Sequence, residues 1–130
     1  MPRSYSIRLV ALTLDCDPKW IDNLLSHHSI PGVQRQRRGV DRRVSDDAVI
    51  VIEATRMLAS ELGLPLSRAI AIATEAAALR NASQALVTRS GISVAVPFAS
   101  IAARVRARLI EAVEGVARVR RGRPRTRRAI

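Results

Sequence analysis

The chain has a single cysteine, a single lysine, and one residue each of tryptophan, tyrosine and phenylalanine. The lone Cys16 excludes an internal disulfide and any cysteine-built metal cluster, and reads as a small buried hydrophobe. Apolar residues make up 48% of the chain but aromatics only 2%, so the core must be assembled from Ala, Val, Ile and Leu. That composition favours helices over a β-sandwich.

Long hydrophobic runs are also missing. Ile7 to Leu14 is apolar but short, broken by Arg8 and followed by Asp15 and Asp17 where a signal peptide would carry small residues. Ala48 to Leu62 holds Glu53 and Arg56 near its centre and falls short of a membrane span. The expectation is a soluble, cytoplasmic protein with no membrane partner.

Residue sets for chemistry are scarce as well. No nucleophile–base–orienter set, phosphate-cradling glycine loop or metal-ligand spacing is visible. His27 and His28 are neighbours, so they cannot share a helix face as a metal pair. The acidic pairs Asp15/Asp17 and Asp46-Asp47 are explained by helix starts. Neither enzymatic activity nor a cofactor or metal is expected.

Arginine, by contrast, is abundant. The formal net charge is +11, and it is uneven: residues 1–100 carry 12 basic and 9 acidic side chains, residues 101–130 carry 10 and 2. Such asymmetry points to a polyanion, with nucleic acid ahead of an anionic membrane surface. The arginine-loaded last helical stretch has no Trp or Phe on its apolar face, which argues against the membrane.

At 130 residues the chain fits one modest core plus a tail. Ser6 to Leu14 reads either as a short helix or as an extended apolar segment. Asp17-Pro18 is a sharper signal, an N-cap followed by a residue pre-set for the first helical position. A helix is therefore predicted over 18–27, with Ile21, Leu24 and Leu25 inward and Lys19, Trp20, Asp22, Asn23 and Ser26 outward. Amide, basic and aromatic groups on a short helix suit major-groove reading. Trp20 has a second reading, as an anchor onto the neighbouring elements.

From Pro31 to Asp47 the sequence turns extended and basic. Gly32 and Gly39 permit tight turns, Val33, Val40 and Val44 suit strands, and Arg35, Arg37, Arg38, Arg42 and Arg43 crowd a ribbon too short to bury them. Each guanidinium is a fork suited to phosphate. Ser45 then caps a helix over 46–62 whose polar stripe is Asp46, Glu53, Arg56 and Ser60. Gly63 and Pro65 stop it, and Ser67 is expected to open the next helix, over 68–80. Period-two patterning from Ala85 to Val96 around Ser90-Gly91 predicts a β-hairpin. Pro97 ends it, and Ser100 is expected to cap an amphipathic helix over 101–119, striped by Ile101, Val105, Leu109, Ala112, Val113 and Val116.

The predicted fold class is mainly α: a helical head with a small wing over 1–82, a hairpin plus helix over 83–119 suited to dimerisation or to a protein partner through 85–119, and a basic flexible tail over 120–130. Residues 13–80 resemble the MerR-type winged helix-turn-helix head. The likeness rests on D-P-K-W-I-D-N-L-L (17–25), S-I-P-G-V (29–33), G-V-D-R-R-V-S-D-D (39–47) and L-G-L-P-L-S-R-A-I (62–70). It implies a dimeric binder of double-stranded DNA in which the 18–27 helix enters the major groove and the wing grips the flanking backbone. Where the family carries an Arg and an aromatic pair, this chain has Asp22, Asn23 and Leu24, and the family's long C-terminal coiled coil and effector cysteines are absent. Metal or drug sensing is therefore not implied.

The tail run Arg120, Arg121, Gly122, Arg123, Pro124 and Arg125 is similar to the AT-hook core, in which an extended backbone lays arginines along an A/T minor groove. A plain basic arm that binds phosphates without selection is the other reading. The expected function is a nucleoid-associated, DNA-binding transcriptional regulator. The alternatives are an antitoxin-type protein whose head represses its own operon while its C-terminal part binds a partner, and an architectural or excisionase-like protein that bends DNA.

Overall fold

A computed structural model describes residues 3–34, 42–79 and 85–122. Among these residues the chain forms β1 (Ser4–Ser6), α1 (Ile7–Leu14), α2 (Pro18–His27), β2 (Val33–Gln34), β3 (Arg43–Ser45), α3 (Asp46–Leu62), α4 (Leu66–Ala78), β4 (Ala85–Arg89), β5 (Ile92–Val96) and α5 (Phe98–Gly122). The mainly helical class with a small antiparallel sheet is as expected.

Local chemistry sets most of these boundaries. The Ser6 hydroxyl accepts from the Leu9 amide at 3.2 Å and starts α1. The Asp17 carboxylate accepts from the Lys19 amide at 2.9 Å, with Pro18 in the first turn of α2. Ser45 accepts from Ala48 at 3.2 Å, and Asp46 and Asp47 place negative charge at the positive end of α3. Gly63, at φ 65°, closes α3 in the left-handed region.

Of the two readings of Ser6 to Leu14 the helical one holds, and a strand that neither reading placed precedes it. Three residues are extended and the next eight are helical, because Tyr5 pairs with Val44 in the sheet and is buried there. β3 is the central strand of three, antiparallel to β1 on one side and to β2 on the other. Val44, fully buried, faces Tyr5 in one neighbour and Val33 in the other. Gly39 and Val40, assigned to a turn and a strand, lie outside the described residues, as does Arg80 at the expected end of α4.

Two expected caps are not used. α4 begins at Leu66, before Ser67, because the Pro65 carbonyl accepts from Arg68 and Ala69 at 3.0 and 2.9 Å and no side chain caps the helix. The Pro65 ring already holds φ at −58°, so its carbonyl can open the ladder unaided. Likewise α5 starts at Phe98, whose buried ring draws the first turn onto the core, and the Pro97 carbonyl accepts from Ile101 at 3.0 Å. Ser100 is thus inside the helix.

α3 is the axis of the core. Every residue from Ala48 to Thr55 is buried, the signature of a helix covered on all sides. Glu53, assigned from the sequence to a polar stripe, is only 2% exposed. It tolerates that burial because Arg56 donates from Nε and Nη2 to its two oxygens at 2.8 and 3.1 Å. Ile50 and Ile52 of α3, with Leu14 of α1 and Ile21 of α2, are fully buried, each contributing about 1.5–3 kcal/mol relative to exposure.

The hairpin is present, with Ala85 opposite Val96 and Val87 opposite Val94. Ser90 and Gly91 both have positive φ, 53° and 80°, as a two-residue turn matched to strand twist requires. Ala85, Val87, Val96, Phe98, Ile101, Val105 and Leu109 belong to the same continuous core as the head. The hairpin and the first part of α5 are therefore packed into the head, with α5 lying against α1 and α3. α5 also runs past 119 to Gly122, so Arg120, Arg121 and Gly122 continue a helix where an extended arm was expected. Helix propagation adds one bond for each residue fixed, so the ladder continues through these positions at little cost.

Candidate functional site

The turn between α1 and α2 decides what α2 presents. Asp15, at φ 54°, sends its amide back to α1, and Cys16 donates to the Ala11 carbonyl at 3.0 Å. Asp is one of the few residues that adopts this conformation at low cost. α2 leaves the turn with Ile21 and Leu24 locked into the core, which leaves Lys19, Asp22, Asn23, Ser26 and His27 exposed. Local bonds order the end of that face: His27 Nδ1 sits 2.9 Å from the Asn23 carbonyl and Ser26 donates to the Asp22 carbonyl at 2.8 Å.

Trp20 is half-buried and packs against the core, which favours the anchoring reading of its ring over a base-reading one. Lys19 and Asn23 are open to a ligand.

Two arginines of the basic ribbon are described. Arg42 turns back onto α2, where its Nη1 donates to the Asp22 carboxylate at 3.1 Å and to the Asp22 carbonyl at 3.3 Å. Its side chain is only 14% exposed. Arg43 donates from Nη2 to the Ser4 carbonyl at 2.7 Å and from Nε to the Ser4 hydroxyl at 3.3 Å, a tie between β3 and β1. These two guanidinium groups hold the head together. Arg35, Arg37 and Arg38 lie outside the described residues, on the connection between β2 and β3. Arg123, Pro124 and Arg125 of the tail also lie outside them.

Arg42 forms a wall between two surface grooves. One, of about 540 Å³, is lined by Ser6, Arg8, Lys19 and Asp22, among others. The other, of about 670 Å³, is lined by Ser26, His27, His28, Ser29 and Val33, among others. Arg8 carries no sequence signal for this place, because only the turn between α1 and α2 brings it beside α2, whereas His28 caps the end of α2 and Ser29 follows it.

Burial pushes the Cys16 thiol above its ordinary range, against a smaller opposing pull from Arg56. Arg56 in turn keeps its proton more firmly than usual because it bonds to Glu53. Among the described residues no group of three or more His, Cys, Asp or Glu is placed to hold a metal ion, and no helix is long and apolar enough to cross a membrane. No protein-family model, curated protein or solved structure matches the chain.

Proposed function

We propose that the protein binds duplex DNA with the exposed face of α2 and the β2–β3 connection, and acts as a transcriptional regulator of the winged helix-turn-helix kind. The observation that carries this reading is a juxtaposition. α2 is fixed by Ile21 and Leu24 with Lys19 and Asn23 outward. Beside it, the ends of β2 and β3 lead into the connection that holds Arg35, Arg37 and Arg38.

In this reading Asn23 hydrogen-bonds base edges in the major groove and Lys19 meets a phosphate near the start of α2. The three arginines of the connection grip the flanking backbone, and residues 123–130, leaving the end of α5, add affinity through phosphates or an A/T minor groove. Arg42 and Arg43 position the two surfaces relative to each other.

The test is a binding series on a random duplex pool across salt, with the full chain and with residues 123–130 removed. Each neutralised phosphate contributes about −0.9 to the slope of log K against log salt, so a slope of several units is expected. Truncation should make it shallower while leaving sequence enrichment intact. Affinity that ignores salt ends the proposal. Enrichment of A/T tracts alone, lost with the tail, would move recognition from α2 to the tail.

A second reading, an antitoxin-type role in which the C-terminal part also docks a protein, is supported by Leu86 and Ile92. They stand 59% and 68% exposed on the hairpin. Co-purification of a stoichiometric second polypeptide, lost in a Leu86→Asp/Ile92→Asp variant, tests it.

A further inference from the structure

α5 carries one apolar stripe with alternating four- and three-residue steps: Val105, Leu109, Ala112, Val116 and Val119. Its first two members are buried, at 0% and 2% exposure, yet Val116 and Val119 rise to 37% and 67%. The stripe outruns the core it packs on. Across from it, Leu12 on α1 is 62% exposed, and the two helices wall a groove of about 930 Å³.

We propose that this groove is a self-association site, filled by the second half of α5 from another copy of the chain. This goes beyond the DNA reading and stands without it. The groove asks for a helix with an apolar stripe, small side chains at the closest approach and charges of both signs. Ala112 and Gly115 line its α5 wall, and a Cβ built at Gly115 meets nothing within 4 Å, so a second backbone can come close there. The wall also carries Arg108 and Glu111, with Asp15 at the end of α1.

The same segment of α5 meets each of these demands. Two copies crossing antiparallel beside Gly115 put Glu111 of each within a turn of Arg118 of the other, twice by symmetry. They also lay Val116 and Val119 against the partner's stripe and Leu12. A parallel arrangement would not bring Glu111 and Arg118 together, because both lie on one flank of the stripe and a parallel partner presents its other flank there. The stripe spacing is the one that interlocks two helices over a shared seam.

Sedimentation equilibrium of the full chain over a wide concentration range is the test. The expected result is a reversible two-chain mass that becomes a one-chain mass in Val119→Asp and in Leu12→Asp. Both positions are exposed, so the helical circular dichroism should be unchanged. Glu111→Arg should weaken association about tenfold or more, and Glu111→Arg/Arg118→Glu should restore it, a rescue only charge pairing between copies produces. A one-chain mass at every concentration overturns the proposal. So does association that survives Val119→Asp and Leu12→Asp, or a groove occupied by a different polypeptide in a complex holding one copy of this chain.

Discussion

Arg42 spans from the base of the β2–β3 connection to Asp22 on the exposed face of α2, 3.1 Å between guanidinium and carboxylate. The pair joins residues 20 positions apart and fixes the angle between the two surfaces proposed to meet DNA. Asp22 also carries the one negative charge on that outward face of α2, so it holds Arg42 away from any phosphate and repels the backbone itself.

Asp22→Asn should therefore strengthen binding to non-specific duplex and steepen its salt slope by about one unit, the contribution of one freed guanidinium. Because Asp22 is largely exposed, unfolding stability should change by no more than about 1 kcal/mol. An unchanged slope would mean that Arg42 stays on α2 for other reasons.

Arg56→Ala leaves the buried Glu53 carboxylate without the two charge-assisted bonds it now accepts. Breaking a buried pair from one side costs about 3 kcal/mol, and urea unfolding should read a loss of about that size. Replacing both, Glu53→Leu/Arg56→Leu, should recover most of it, since the penalty lies in the unpaired charge. A double variant as weak as the single one would refute that account.

Gly32 stands at φ +90°, and a Cβ there would run into the Ser45 hydroxyl, the N-cap of α3. Gly32→Ala should cost about 2–4 kcal/mol, combining left-handed strain with a disturbed cap. Gly91→Ala, also at positive φ but with nothing within 4 Å of its Cβ, carries the strain alone and should lose less. Thermal unfolding of the two variants side by side gives the comparison.

Cys16 should resist alkylation at neutral pH. Its folded pKa is raised because burial disfavours the thiolate, so reaction should accelerate only above the pH at which a free cysteine reacts. The linkage has a definite sign: the neutral thiol is favoured by folding, so this contribution to stability is present below the unfolded pKa and lost as pH rises through the folded one. Alkylation rates against pH, native and in denaturant, should show the native curve displaced to higher pH.

Much of the secondary structure was legible because its signals are local. Asp17-Pro18, Ser45-Asp46-Asp47, Gly63 and Ser90-Gly91 each set a boundary through bonds or dihedrals within a few residues. The misses share a different cause. β1 exists because Tyr5 meets Val44, nearly forty positions away, and no pattern within three residues announces a strand. Ser67 and Ser100 resemble caps, but Pro65 and Pro97 supply the first carbonyl, and in α5 the buried Phe98 pulls the helix start forward.

For the candidate site, α2 and its outward Lys19 and Asn23 followed from periodicity. What the spacing could not reveal was where Arg42 and Arg43 turn. Nothing in the run of arginines marks these two, and only the approach of Asp22 and Ser4 in space commits them to the head's own groups. Glu53 is similar: a charge on a helix reads as solvent-facing until a helix on each side covers it.

The sequence by itself determined where α2 and α3 begin, that helices follow Pro65 and Pro97, and that the chain is heavily cationic, because capping, periodicity and charge are short-range properties. Tertiary structure alone decided which charged groups are paired and which stripe of α5 lies beyond the core. Those depend on distances between residues that only the folded chain brings together.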